Sequence, residues 1–116
     1  MNKEEFRRLI ISEIDEDGEI GLSILIPWYK KYVLGHEVTY PLFNNKENYN
    51  INESQFKELV NIVIGILDNN NFTLAMLSSN WSSVSKEGMI EIINSKKNYL
   101  PFLKKPYFLV TYPIPF

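Results

Sequence analysis

The sequence predicts a single α+β domain, and three observations carry that prediction. Two stretches, Lys3 to Ile14 and Asn52 to Asp68, repeat apolar residues at helical spacing behind an asparagine cap. After Asn69-Asn70-Asn71 the period changes, and short apolar runs at Phe72–Leu77 and Tyr107–Tyr112 are bounded by turn residues. A third helical stretch lies between those runs. Helices followed by strand–helix–strand is the order of an α+β fold.

Each element has its own local reason. Asn2 caps the first helix, Glu5 completes a capping box, and Met1 and Phe6 stand at staple positions. Phe6, Leu9, Ile10 and Ile14 form its apolar stripe, and Asp15-Glu16-Asp17-Gly18 reads as the turn that ends it. A second helical region, Leu22–Leu34, places Leu22, Leu25, Ile26, Tyr29 and Val33 on one face. Pro27 lacks an N–H, so it kinks this region or begins a new helix there. From Gly35 to Asn52 the chain reads as a long irregular connection, rich in asparagine, with Tyr40 extended before Pro41.

Asn52 caps the third helix, Gln55 closes its capping box, and Ile51 and Phe56 form a staple. Phe56, Leu59, Val60, Val63 and Leu67 make the stripe. Ile62, Ile64 and Ile66 carry apolarity around the cylinder, which predicts a central helix buried on several sides. Phe72–Leu77 follows as a strand, then a serine-rich loop holding Trp81. The fourth helix, Lys86–Ser95, is capped by Ser85 and turns Met89, Ile90 and Ile93 toward the core. Tyr107–Tyr112 is the last strand, stopped by Pro113 and Pro115. It and Phe72–Leu77 are candidate partners in a small antiparallel sheet.

Composition narrows the function classes. The 116 residues are 45% hydrophobic and 14% aromatic, which rules out wholesale disorder. A chain of this size can bury about two-thirds of its unfolded surface, enough for one core. There is no cysteine, so disulfides, thiolate nucleophiles, Cys-based zinc sites and iron–sulfur clusters are excluded. Net charge is −2, which carries no electrostatic footprint for DNA or an anionic membrane. Met1 to Glu5 shows no apolar signal-peptide region, and the longest apolar run falls far short of the roughly 20 residues that span a bilayer. The expectation is a cytoplasmic protein with no membrane partner.

The charge is unevenly placed. Residues 1–20 hold three basic and seven acidic side chains, against nine and seven in the rest. Glu13 to Ile20 resembles a calcium loop when Gly18 takes the sixth position, with Glu13, Asp15 and Asp17 as ligands. Its twelfth position is Ile24, which has no oxygen to offer, so no metal is expected. The same acids read either as a solvated turn or as a contact surface for a basic partner. Asp15, Glu16, Asp17 and Glu19 are therefore candidate partner-binding residues. Trp28, Tyr29, Tyr32 and Trp81 read either as exposed anchors, since Trp and Tyr dominate hot spots, or as residues that close a small core. Of these, Trp28 and Tyr32 join the acids as candidate partner-binding residues.

The remaining chemistry is sparse. His36 is the one histidine, in a polar connection, and reads as a solvated loop residue. Lys96, Lys97, Lys104 and Lys105 flank Tyr99 and Phe102, an interleaving that can contact phosphates and stack bases but here reads as solvated loop charge. No Walker loop, Rossmann glycine fingerprint or nucleophile elbow occurs. No catalytic residue and no cofactor is expected.

The stretch Phe56–Leu67, then Asp68-Asn69-Asn70-Asn71-Phe72-Thr73-Leu74-Ala75, then Lys86–Asn94, then Tyr107–Pro113 resembles a set of small bacterial immunity proteins. These neutralise toxins of contact-dependent growth inhibition and related polymorphic toxin systems. The resemblance covers roughly the C-terminal half and rests on hydrophobic patterns: a long apolar helix, a short "LA"-type strand, a further helix, and a terminal aromatic strand ending near proline. It implies a bacterial cytoplasmic protein that is not an enzyme and blocks a cognate toxin. No functional residues transfer, because such proteins share no active site. A basic toxin, a nuclease for instance, would suit the acidic segment. The alternative is a winged-helix-like nucleic-acid-binding regulator, disfavoured because the helix Asn52–Asp68 holds one lysine and two glutamates. Oligomeric state is open.

Overall fold

The computed structural model describes residues 1–69 and 71–112. Asn70 and the expected strand stop at Pro113 and Pro115 lie outside the described residues. The fold is α+β, with helices packed against a four-stranded antiparallel sheet.

Helix α1 (Lys3–Asp17) starts as its sequence predicts. The Asn2 side chain accepts from the Glu5 backbone N–H at 2.8 Å, and the Glu5 carboxylate accepts from the Asn2 N–H at 3.2 Å. Phe6, Ile10 and Ile14 are fully buried. The helix does not stop at Ile14. It continues through Asp15, Glu16 and Asp17 and ends at Gly18, whose φ of 82° and N–H to the Ile14 carbonyl at 2.7 Å close the last turn. Glycine alone is the terminator here, because it takes the left-handed conformation without strain.

Gly18 turns the chain into β1 (Glu19–Gly21), an edge strand too short to show a period in sequence. From Leu22 to Val33 the backbone changes pitch twice. A 3₁₀ turn (Leu22–Ile24) leads into α2 (Leu25–Trp28) and then a π turn (Tyr29–Val33). Pro27 sits in the first turn of α2, where its missing N–H has no intrahelical duty. Gly35, at φ 70°, ends this course. The long connection that follows is held by Asn48, which is buried. Its side chain accepts from the Thr39 N–H and donates to the Thr39 and Leu42 carbonyls at 2.7 and 3.0 Å. One side chain thus supplies three of the hydrogen bonds a loop must find.

Helix α3 (Glu53–Leu67) repeats the capping box with Asn52 and Gln55, at 2.8 and 2.9 Å. Leu59, Val60, Ile62, Val63 and Ile66 are buried, so the central-helix reading holds. Phe56 meets Tyr99 edge-on, their ring centroids 5.2 Å apart. The Tyr99 hydroxyl, wholly buried, donates to the Ile93 carbonyl at 2.7 Å.

The sheet order is β1-β4-β2-β3, all antiparallel, with β2 at Phe72–Leu77, β3 at Trp81–Ser83 and β4 at Tyr107–Thr111. The expected partnership of Phe72–Leu77 with the last strand is the centre of this sheet, Leu74 opposite Leu109. Ile20 also pairs with Leu109, and all three join the helix side chains in one buried cluster. The serine-rich stretch expected as a loop instead contributes β3, a three-residue hairpin arm on β2. Helix α4 (Lys86–Ile93) begins at Ser85, whose hydroxyl accepts from the Gly88 N–H at 3.2 Å. Ile93 is fully buried and Met89, one turn earlier, packs on the core. Ile90 does not face the core. It lies about 100° around the helix from Met89 and is 52% exposed.

Val63 has no accessible surface. Val63→Asp should abolish the cooperative transition seen by circular dichroism, since an unpaired charge buried there costs several kcal/mol. A melt within a few degrees of the parent would contradict α3 as the centre of the core.

Candidate functional site

The six residues singled out in the sequence do not form one patch. Asp15, Glu16 and Asp17 occupy the last turn of α1, and Glu19 opens β1; all four are exposed. Trp28 and Tyr32 sit elsewhere. Their rings meet edge-on at 5.9 Å, and the Met1 amino group donates to the Tyr32 carbonyl at 2.6 Å. That bond ties the aromatic pair to the amino end of α1. Fifteen helical residues, about 22 Å, separate it from the acids. Trp28 and Tyr32 are half-buried against the core and close it, which is the ordinary role of such rings.

The charges on α1 are segregated along its axis. Its amino end carries the ion pairs: Lys3 with Glu58 at 3.5 Å, and Arg7 and Arg8 with Glu4 at 2.7 and 3.7 Å. The Arg7 hydrogen bond holds the Glu4 carboxyl below its ordinary range. At the carboxyl end no basic residue occupies the last turn, and among the described residues no ion pair reaches Asp15, Glu16, Asp17 or Glu19. The helix dipole is negative at that end, so acids there are opposed by the backbone as well as by one another. Partial desolvation, followed by the Asp17 and Glu16 carboxylates, holds the Glu13 carboxyl above its ordinary range. Among the described residues these acids are therefore left to solvent and to one another.

The helical course of this segment also bears on calcium. Glu13, Asp15 and Asp17 lie on a helix rather than in a turn, and residues two apart on a helix point to opposite sides. They do not converge on one ion. Among the described residues no group of three or more His, Asp or Glu side chains is placed to hold a metal. His36 is exposed in the connection after the π turn.

One feature was not predicted from sequence. A groove of about 610 Å³ lies between α3, α4 and the start of β2, lined by Ile64, Leu67, Phe72, Met89, Ile90 and Tyr112. Asp68 and Lys86 stand on its margin. Tyr112 is 61% exposed, and with Ile90 it leaves apolar surface open at the mouth. The signal available in sequence was the apolarity of α3 beyond a single stripe: Ile64 and Leu67 lie on a side that no element fully covers.

The register brings this groove to the acidic end of the molecule. Glu19 pairs with Val110, and Phe72 pairs with Thr111. Glu19 and Phe72 are therefore two strand spacings apart, about 10 Å. The carboxyl end of α1, the start of β1, Asp68 and the groove share one end of the sheet. The groove thus offers an apolar lining with Asp68 and Lys86 at its margin.

No protein-family model, curated protein or solved structure matches this chain.

Converting Asp15, Glu16 and Asp17 to Asn, Gln and Asn should leave the fold intact and raise Tm at pH 7 by about 2–5 °C. Glu13 titrates above its ordinary value of 4.5, so its ionised form is disfavoured in the folded chain. The desolvation part of that penalty is common to both chains, while the part due to Asp17 and Glu16 is present only in the parent and is relieved as pH falls through the raised pKa. The advantage of the variant over the parent should then be largest at pH 7 and shrink toward pH 4.5, as thermal melts at several pH values will show.

Proposed function

We propose that this protein works by binding, as an immunity protein that neutralises a cognate bacterial toxin by covering or distorting its active site. The observation that supports this reading is the exposed acidic end of α1 beside an apolar groove. Inhibition by occlusion needs only a complementary surface, and interfaces of about 1,600 Å² are ample. The acids would draw in a basic toxin from solution, and the groove would take an apolar side chain at the centre of the contact. A nuclease, basic because it binds phosphates, is the natural class of partner. The C-terminal hydrophobic pattern, with its resemblance to immunity proteins of contact-dependent growth inhibition, points the same way. Among the described residues no helix is long and apolar enough to cross a membrane. A cytoplasmic site of action is part of the proposal.

The nucleic-acid alternative finds less support. A winged-helix regulator needs an exposed basic recognition helix, and α3 is packed into the core with Lys57 as its single cation. The lysines near the last strand have also lost one of their two stacking rings, since Tyr99 is buried.

The test begins with the gene directly upstream, whose product is expected to be a large secreted protein with a toxic C-terminus. Association of that toxic domain is then measured at two ionic strengths, for the parent and for a variant with Asp15, Glu16, Asp17 and Glu19 converted to Asn or Gln. At low salt the variant should associate about tenfold more slowly or worse, and the gap should narrow as salt screens the parent pair. Equal rates at low salt would reduce the acids to a solvated helix end.

A further inference from the structure

Opposite the acidic end, the loop Leu100–Pro106 presents the most exposed ring among the described residues. Phe102 is 81% accessible and Leu100 40%. The loop is tethered on both sides. The Leu100 N–H donates to the Lys97 carbonyl at 3.3 Å, Tyr99 is buried just before it, and the Pro106 carbonyl accepts from Leu77 at 2.9 Å. Pro101 and Pro106 restrict the backbone further, so little conformational freedom is left to lose on contact. Lys97, Lys104 and Lys105 lie within five residues of Phe102 in the chain, all exposed, and no ion pair reaches them among the described residues.

The matching half of such a contact is on the same chain. Phe102 is an apolar projection on a loop that also carries the exposed Lys104 and Lys105, and the groove at Leu67, Phe72, Ile90 and Tyr112 is an apolar recess at the acidic end of the sheet. Asp68 stands at its margin, and Glu19 with the last turn of α1 lies across the same sheet end. Lys86 is the one cation on that margin. Strand β4 runs from the loop toward the groove, and its five residues span about 17 Å. Projection and recess therefore sit at opposite ends of the sheet, where one chain cannot join them to each other.

We propose that the protein self-associates head to tail, the Phe102 loop of one copy seated in the groove of the next, with Lys104 and Lys105 against the acidic end. A contact between two different patches is heterologous, so it extends into rings or open chains rather than stopping at a symmetric dimer. A contact through one ring and two lysines is weak and concentration-dependent. It stands independently of the toxin reading. Should both hold, the toxin and a second copy compete for the same end.

Sedimentation velocity on the purified chain, from about 10 μM to about 1 mM, tests this directly at low and high salt. The parent should gain mass with concentration, less so at high salt. Phe102→Ser and Ile90→Asp alter exposed side chains, and near-UV circular dichroism will confirm their folds. Each alone should stay monomeric. An equimolar mixture should form a dimer and nothing larger, because only one intact projection and one intact groove can meet. A parent that is monomeric throughout, or assembly that survives either substitution, or a mixture that fails to dimerise, would overturn the proposal. So would a monomeric parent that sediments with phosphatidylglycerol vesicles or a single-stranded oligonucleotide through Phe102, since the loop would then serve another partner.

Discussion

Leu59, Val63 and Ile66 on α3 share one buried cluster with Leu74 and Leu109 of the two central strands, and the other helices and strand β1 join that cluster, while β3 is held by its pairing with β2. Helix α1 adds Phe6, Ile10 and Ile14. The irregular helical course adds Leu22, Leu25, Ile26 and Tyr29, and α4 adds only Ile93. The burial is non-directional in energy but strict in shape, since interiors are packed as densely as organic crystals. Directional bonds then fix how each piece enters. Two capping boxes set the starts of α1 and α3. The Tyr49 hydroxyl donates to the Ser23 carbonyl at 2.8 Å, tying the long connection to the turn after β1. The Tyr29 hydroxyl donates to Glu58 at 3.1 Å, joining the π turn to α3.

The functional proposals grow from where that cluster runs out. Helix α4 buries one side chain fully, so Ile90 and part of Met89 are left to line a groove instead of filling a core. Helix α1 is anchored through Ile14 but extends a further turn, and the three acids of that turn project beyond the packed region. They oppose both the helix dipole and each other. A chain that keeps such an arrangement forgoes stability that three neutral side chains would restore. The proposed contact gives that departure from the local rules a use, with the groove at the same end of the sheet.

Much of the fold was legible because it rests on short-range chemistry. Asn2 with Glu5 and Asn52 with Gln55 announce two helix starts, and the apolar period of α3 announces burial on several sides. The change of period after Asn71 announces the central strand. Edge strands β1 and β3 were not legible, because three residues show no period and their pairing depends on distant partners. The acidic run departs from its composition at one point. Asp15-Glu16-Asp17-Gly18 has the composition of a turn, yet all three acids continue the helix and only Gly18 leaves it. The candidate site was half legible. Charge asymmetry marks the acids, while the groove joins Ile64 and Leu67 to Met89 and Ile90, residues whose meeting depends on tertiary packing. Trp28 and Tyr32 look like anchors in sequence because nothing local reveals that the amino end of α1 lies beside them.

Native-state hydrogen exchange tests the central claim most directly, that α3 and the two central strands form the scaffold on which the acidic end and the groove are mounted. The account predicts that the amides of Leu59, Val63, Ile66, Leu74 and Leu109 exchange only through global unfolding, with the full unfolding free energy. Those of α4 and of the last turn of α1 should open locally, at lower free energy. Exchange of α3 amides through openings cheaper than those of α4 would contradict it.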